Sequence, residues 1–206
     1  MKRKPETTPG VAFIPTGNGV IDDFTLPATL YFDSMFFFKQ AVESKDSSSK
    51  NRYLRAALFS AFSFFEAQLN QVAYAHGRTH ADKLEQITKD LLEEMETTVD
   101  DKGIIIRKKR YYSLEARFSF LSLFLSGKEF DRSGLLWQKF VECKDERDLW
   151  VHPKPPFSSE LTVEKIKLVI VTLREIFIQL SNMMNTEPPL WLKPLEEVIT
   201  AFGKER

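Results

Sequence analysis

Six consecutive residues, Arg147-Asp148-Leu149-Trp150-Val151-His152, carry the strongest chemical signal in this chain. Asp148 and His152 stand four residues apart, which stacks them on one helix face. A carboxylate so placed accepts a hydrogen bond from one imidazole nitrogen, fixes the tautomer and leaves the other nitrogen free to move a proton. Arg147 lies about 100° further round the helix, but its long stem lets the planar guanidinium reach the same cleft and hold a phosphate. Pro153 stops the helix directly after the histidine. A proton-transfer group, its orienter and an anion clamp thus fall within one and a half helical turns. By spacing alone, the same residues also fit an arginine and a histidine on a solvated helix end.

Other clusters bear on this one. Ser63, Glu66 and Asn70 form a polar stripe along an otherwise apolar helix. A buried carboxylate there needs a partner, for which Arg147 is suited, whereas an exposed Glu66 needs none. The run Arg107-Lys108-Lys109-Arg110-Tyr111-Tyr112 joins four cations to two aromatics. It suits phosphate contact and base stacking on RNA, or else a solvated basic loop. His76 and His80 have a metal-ligand spacing, but Gly77 is expected to break the helix between them and no third ligand is near, so no zinc site is expected. Cys143 reads as buried packing. Glycine-rich phosphate loops, paired catalytic carboxylates and a Ser-His-Asp set find no support.

These residues need elements to hold them. Pro5, Pro9, Pro15 and Pro27, with Gly10, Gly17 and Gly19, predict an extended arm over residues 1–27. A helix is expected over 28–45, then a polar loop from Ser44 to Asn51. Leu54, Ala57, Leu58, Ala61, Phe62, Phe65, Leu69, Val72 and Ala73 keep helical spacing and predict a helix over 52–76, ended by Gly77. Phe59 and Phe64 fall off that stripe, which suggests deep burial or a partner. An amphipathic helix is expected over 80–97, and a short strand or loop in 98–111, where Ile104, Ile105 and Ile106 are β-branched. Ser113 is a plausible N-cap for a helix reaching Gly127. Further helices are expected over 133–152, with Leu136, Phe140 and Val151 in the core, and over 160–185. Prolines 188, 189 and 194 bracket a last helix ending near Gly203.

The chain of 206 residues suits one domain, here 28–206 behind the arm, and is long enough to bury a core without a metal or disulfide. Eighteen phenylalanines predict an aromatic-rich core or a subunit interface that consumes part of them. A formal net charge of zero argues against a strong global field for nucleic acid, though not against a local basic site. A lone cysteine points to a reducing compartment, and the basic start MKRKPETTPG lacks an apolar leader, so a cytoplasmic protein without membrane contact is expected.

Arginine, a polar residue, then histidine after four to six positions resembles the motif of HEPN domains, and Arg147, Asp148 and His152 fill its three places. The segment Ala61-Phe62-Ser63-Phe64-Phe65-Glu66-Ala67-Gln68-Leu69-Asn70 is similar to an early helix of that family. The likeness spans roughly residues 50–185. It implies an all-α helical bundle that pairs as a homodimer. It also implies metal-independent endoribonuclease chemistry without a cofactor, in which two copies of His152 serve one phosphate, leaving a 2′,3′-cyclic phosphate. A toxin or defence role with a cognate antitoxin would go with it. The alternative is a non-catalytic HEPN-like module that binds RNA or a protein.

Overall fold

The computed structural model describes residues 26–153, 155, 160–189 and 191–192. The expected arm therefore lies outside the described residues except for its last two, and so does nearly all of the expected last helix. The described part is mainly helical, with six helices and one two-stranded sheet. In chain order these are α1 (Leu26–Glu43), α2 (Ser47–Thr79), α3 (Gln86–Leu92), β1 (Met95–Val99), β2 (Ile105–Lys109), α4 (Leu114–Ser126), α5 (Leu135–Val151) and α6 (Val163–Met183).

The polar run after α1 is shorter as a loop than expected. Asp46 caps α2, its carboxylate accepting from the Ser49 amide at 2.7 Å, so Ser47 to Asn51 already belong to the helix. Gly77 does not stop α2, which runs on to Thr79. An interior glycine costs about 1 kcal/mol, less than a long packed helix recovers. Ser113 caps α4 through the Ala116 amide at 3.2 Å, and Gly127 closes it at φ 68°, a left-handed conformation that glycine adopts freely. Thr162 caps α6 through the Lys165 amide at 3.2 Å.

The largest departure is at 80–97. Only Gln86–Leu92 is helical there; Met95–Val99 is a strand paired antiparallel with Ile105–Lys109, with Thr97 opposite Arg107. The β-branched Thr97, Thr98 and Val99 favour the pleat, and the turn has its own chemistry. Asp100 accepts from the amides of Lys102 and Ile104 at 2.9 and 2.8 Å, and Gly103 takes φ 80°.

The core lies where α1, α2, α4, α5 and α6 meet. Phe65 is fully buried, its ring centroid 4.8 Å from Phe177, 5.2 Å from Phe140 and 5.9 Å from Phe118. Phe64, on the neighbouring face of α2, is also buried and meets Tyr31 at 5.2 Å and Phe177 at 5.5 Å. Burying one such ring contributes about 1.5–3 kcal/mol, so α2 is fixed from two sides. That accounts for Phe64 lying off the stripe; Phe59 instead stays on the surface, 39% exposed. Val151, expected in the core, is also 39% exposed, at the final position of α5. No helix among the described residues is long and apolar enough to cross a membrane.

Candidate functional site

The face of α2 turned away from the aromatic core carries Phe59, Ser63, Glu66, Asn70 and Tyr74 at helical spacing. Helix α5 crosses near it and brings Arg147 to Glu66, with Nη2 donating to Oε1 at 2.7 Å. The same guanidinium donates from Nη1 to Asp148 at 3.0 Å and lies over the Phe62 ring, 5.6 Å from its centroid. A guanidinium has five N–H groups; two are used here, and the Arg147 side chain keeps a quarter of its surface exposed. Glu66 thus pairs with Arg147, as one of the two readings of the polar stripe required.

Asp148 serves a different partner from the one its spacing suggests. Its carboxylate takes Arg147 and, at 3.5 Å, the ammonium of Lys144 one turn earlier. Among the described residues no hydrogen bond joins it to the His152 ring. His152 is exposed and caps α5, its amide donating to the Asp148 carbonyl at 2.9 Å. Lys144 also reaches Glu115 of α4 at 2.8 Å, a hydrogen bond that holds its ammonium above the usual lysine range. The result is a line of alternating charges from α2 through α5 to α4: Glu66, Arg147, Asp148, Lys144, Glu115.

Asn70 stands outside that line. Its amide oxygen accepts from Arg117 of α4, and Arg117 pairs with Glu94 at 3.2 Å. Burial lowers the Arg117 pKa, while Glu94 and Glu66 oppose the shift, so Arg117 shares the field of the Arg147 cluster without bonding it. Sequence reasoning missed Arg117, Lys144, Glu115 and Glu94. Arg117 had a visible signal, as the single cation in the apolar helix Leu114–Ser126. Lys144 also had one, standing four residues before Asp148 on the same helix; Glu115 and Glu94 looked like ordinary surface charge.

The basic run is divided by the hairpin. Arg107 is taken up by Asp90 at 2.6 Å and Glu93 at 2.9 Å, and Arg110 by Glu96 at 3.4 Å. Lys108 and Lys109 remain exposed and in no ion pair among the described residues. The stretch is neither a free basic loop nor a block of four available cations. His76 and His80 meet across the unbroken end of α2 with stacked rings, centroids 4.3 Å apart. Among the described residues no group of three or more His, Cys, Asp or Glu could hold a metal ion. No family model, curated protein or solved structure matches this chain.

Proposed function

We propose that this chain is a HEPN-type endoribonuclease that works without a metal and as a homodimer. The observation that carries the reading is the Glu66–Arg147 pair, 2.7 Å across α2 and α5, with the exposed His152 ending the same helix that holds the arginine. In the proposed reaction the His152 imidazole takes the proton of an RNA 2′-hydroxyl. The oxygen attacks the adjacent phosphorus, the bond to the 5′ oxygen breaks, and that oxygen leaves with a proton from a second imidazole. The products are a 2′,3′-cyclic phosphate and a 5′-hydroxyl. Arg147, held by Glu66 and keeping free N–H donors, stabilises charge on the phosphoryl oxygens. One chain supplies one such histidine, so the second comes from a second copy. Phe59, Leu149 and Val151, 39%, 49% and 39% exposed, lie on the two helices that carry the cluster and supply apolar surface for that pairing. A cytoplasmic toxin or defence protein, countered by an antitoxin, fits this activity.

The non-catalytic reading draws support from the charge around Arg147. Glu66 and Asp148 together outweigh it, and Asp148 is not bonded to His152, so the cluster as it stands presents no excess positive charge to a phosphate. The two readings separate in one assay on a mixed RNA pool with EDTA. Cleavage that yields cyclic phosphate and drops at least a hundredfold in His152→Ala, in a chain that light scattering shows to be dimeric, supports the nuclease. Equal cleavage by the variant, or none by the parent chain, leaves the binding module.

A further inference from the structure

Beside the Arg147 cluster, and separate from it, a cleft of about 640 Å³ opens between the end of α2, α3 and the hairpin. That is within the range of ligand pockets, roughly 300–1,000 Å³. Its charges divide unequally once their partners are counted. The two acids on its wall are already neutralised, Glu93 by Arg107 at 2.9 Å and Glu94 by Arg117 at 3.2 Å. The cations Arg78, Lys89 and Lys109 also line it, and none of the three is in an ion pair among the described residues. Tyr74 stands in the same wall with 65% of its surface exposed. The Arg78 guanidinium lies over its ring at 5.7 Å and donates to its hydroxyl at 3.3 Å, which holds the ring in place. Asn70 and Arg117 line the near end. Asn70 stands one turn of α2 beyond Glu66, the partner of Arg147, so the cleft lies beside the Arg147 cluster.

We infer that this cleft binds single-stranded RNA, its phosphates on Lys89 and Lys109 and one unstacked base on Tyr74, feeding the strand toward Arg147. Two uncommitted lysines, with Arg78 braced on the ring beside them, suit a chain of phosphates. An exposed, braced aromatic ring adds what an acidic peptide has no use for and what a duplex, with its bases stacked, cannot reach. The choice of RNA rests on the nuclease reading; the cation and ring geometry does not.

The test measures binding of a fluorescent octauridylate by anisotropy, using the full chain with His152→Ala to prevent cleavage, across a range of salt. Lys89→Gln with Lys109→Gln is expected to weaken binding tenfold or more and to flatten the slope of log affinity on log salt by about 1.4, from about 0.7 per phosphate contact. Tyr74→Ala is expected to weaken it by about five- to a hundredfold with the slope unchanged, since a stacked base carries no charge. Tyr74→Phe keeps the ring and is expected to bind like the parent, which separates stacking from damage to the fold. Binding unaffected by these changes, absent altogether, or matched by a duplex of the same length overturns the inference. So does displacement of the oligonucleotide by polyglutamate at equal charge, which would make the cleft an acidic-peptide site. A chain that binds here but cleaves no RNA refutes the nuclease reading alone; one that cleaves but ignores these substitutions refutes the cleft alone.

Discussion

Two parts of this molecule hold themselves together by different means. Around α2, α4, α5 and α6 the contacts are ring on ring, with Phe65 touching Phe118, Phe140 and Phe177. From α3 through the hairpin the contacts are mostly polar. Asp90 gathers Gln86 at 2.7 Å, Thr97 at 3.0 Å and Arg107 at 2.6 Å, and every residue of β2 is exposed. Apolar packing is not screened by salt and depends on filled volume. Exposed ion pairs contribute little each and respond to pH and salt. The Arg147 cluster is mounted on the first part and the proposed RNA cleft straddles the two, so a firmly held charge cluster adjoins a wall that yields more easily.

The sharpest test of the difference is Phe65→Ala. A fully buried ring surrounded by three others leaves a cavity that helices cannot easily close. The expected cost is about 3–5 kcal/mol, read as a lower denaturation midpoint with unchanged slope. A cost near 1 kcal/mol would mean that the aromatic centre is loosely packed and would remove the contrast with the hairpin.

That centre is also the part the sequence makes legible. Leu54 to Ala73 repeat at helical spacing because one face of α2 is buried along its length, and the Ser113 cap and Gly127 stop are local signals that tertiary packing leaves alone. Of the hairpin, only the start of β1 fell inside the helix expected over 80–97; the β-branched run Ile104 to Ile106 already suggested a short strand or loop in 98–111, where β2 forms. The competing signals were β-branching at 97–99 and an Asp-x-x-Gly turn at 100–103, which only pairing with Ile105–Lys109 brings out. At the site, the Glu66–Arg147 pair was one of two readings left open; the Asp148–Lys144 pair follows a four-residue spacing within α5, whereas the link from Lys144 to Glu115 depends on where α4 passes α5, which no spacing within one helix encodes. The two-sided burial of α2 was foreseen as burial or partner, and Phe64 took the first course and Phe59 the surface.

A second test is the titration of Cys143, between α5 and α6. Burial pushes its thiol up to about 11 from an ordinary value of 9.0. Below about pH 9 the thiol is protonated whether the chain is folded or not. Above that the unfolded chain gives up the proton while the folded one keeps it, so stability falls as pH rises toward 11. The slope is about 1.4 kcal/mol per pH unit across that window. Lysines and tyrosines titrate there too, so the quantity to follow is the difference in unfolding free energy between the parent and Cys143→Ala. A difference that shrinks from pH 9 to pH 11 is expected, and one that stays flat would show that water reaches the thiol and that this part of the core is no tighter than the hairpin.

The smallest expected effect is on the hairpin. Hydrogen bonds from Gln86, Thr97 and Arg107 hold the Asp90 carboxyl below the usual carboxylate range, against the opposing effect of its desolvation. The sign follows from which form the bonds favour. The folded segment prefers the ionised carboxylate, so the contribution is present above the ordinary value of about 4 and is lost as pH falls through the lower folded value. The bonds join α3 to β1 and β2 and reach no helix of the aromatic centre. Their loss should therefore open residues 95–109 locally and leave the global unfolding transition almost where it was. Amide exchange on Asp90→Asn at neutral pH is expected to show faster exchange at Thr97 to Val99 and Ile105 to Arg107. Amides near Phe65 and Phe177 should exchange as in the parent, and the parent hairpin should come to behave like the variant on acidification below about 4. If the hairpin and the Phe65 amides instead quicken together, the two regions unfold as one, and the separation between an aromatic frame and a polar, adjustable wall of the cleft is wrong.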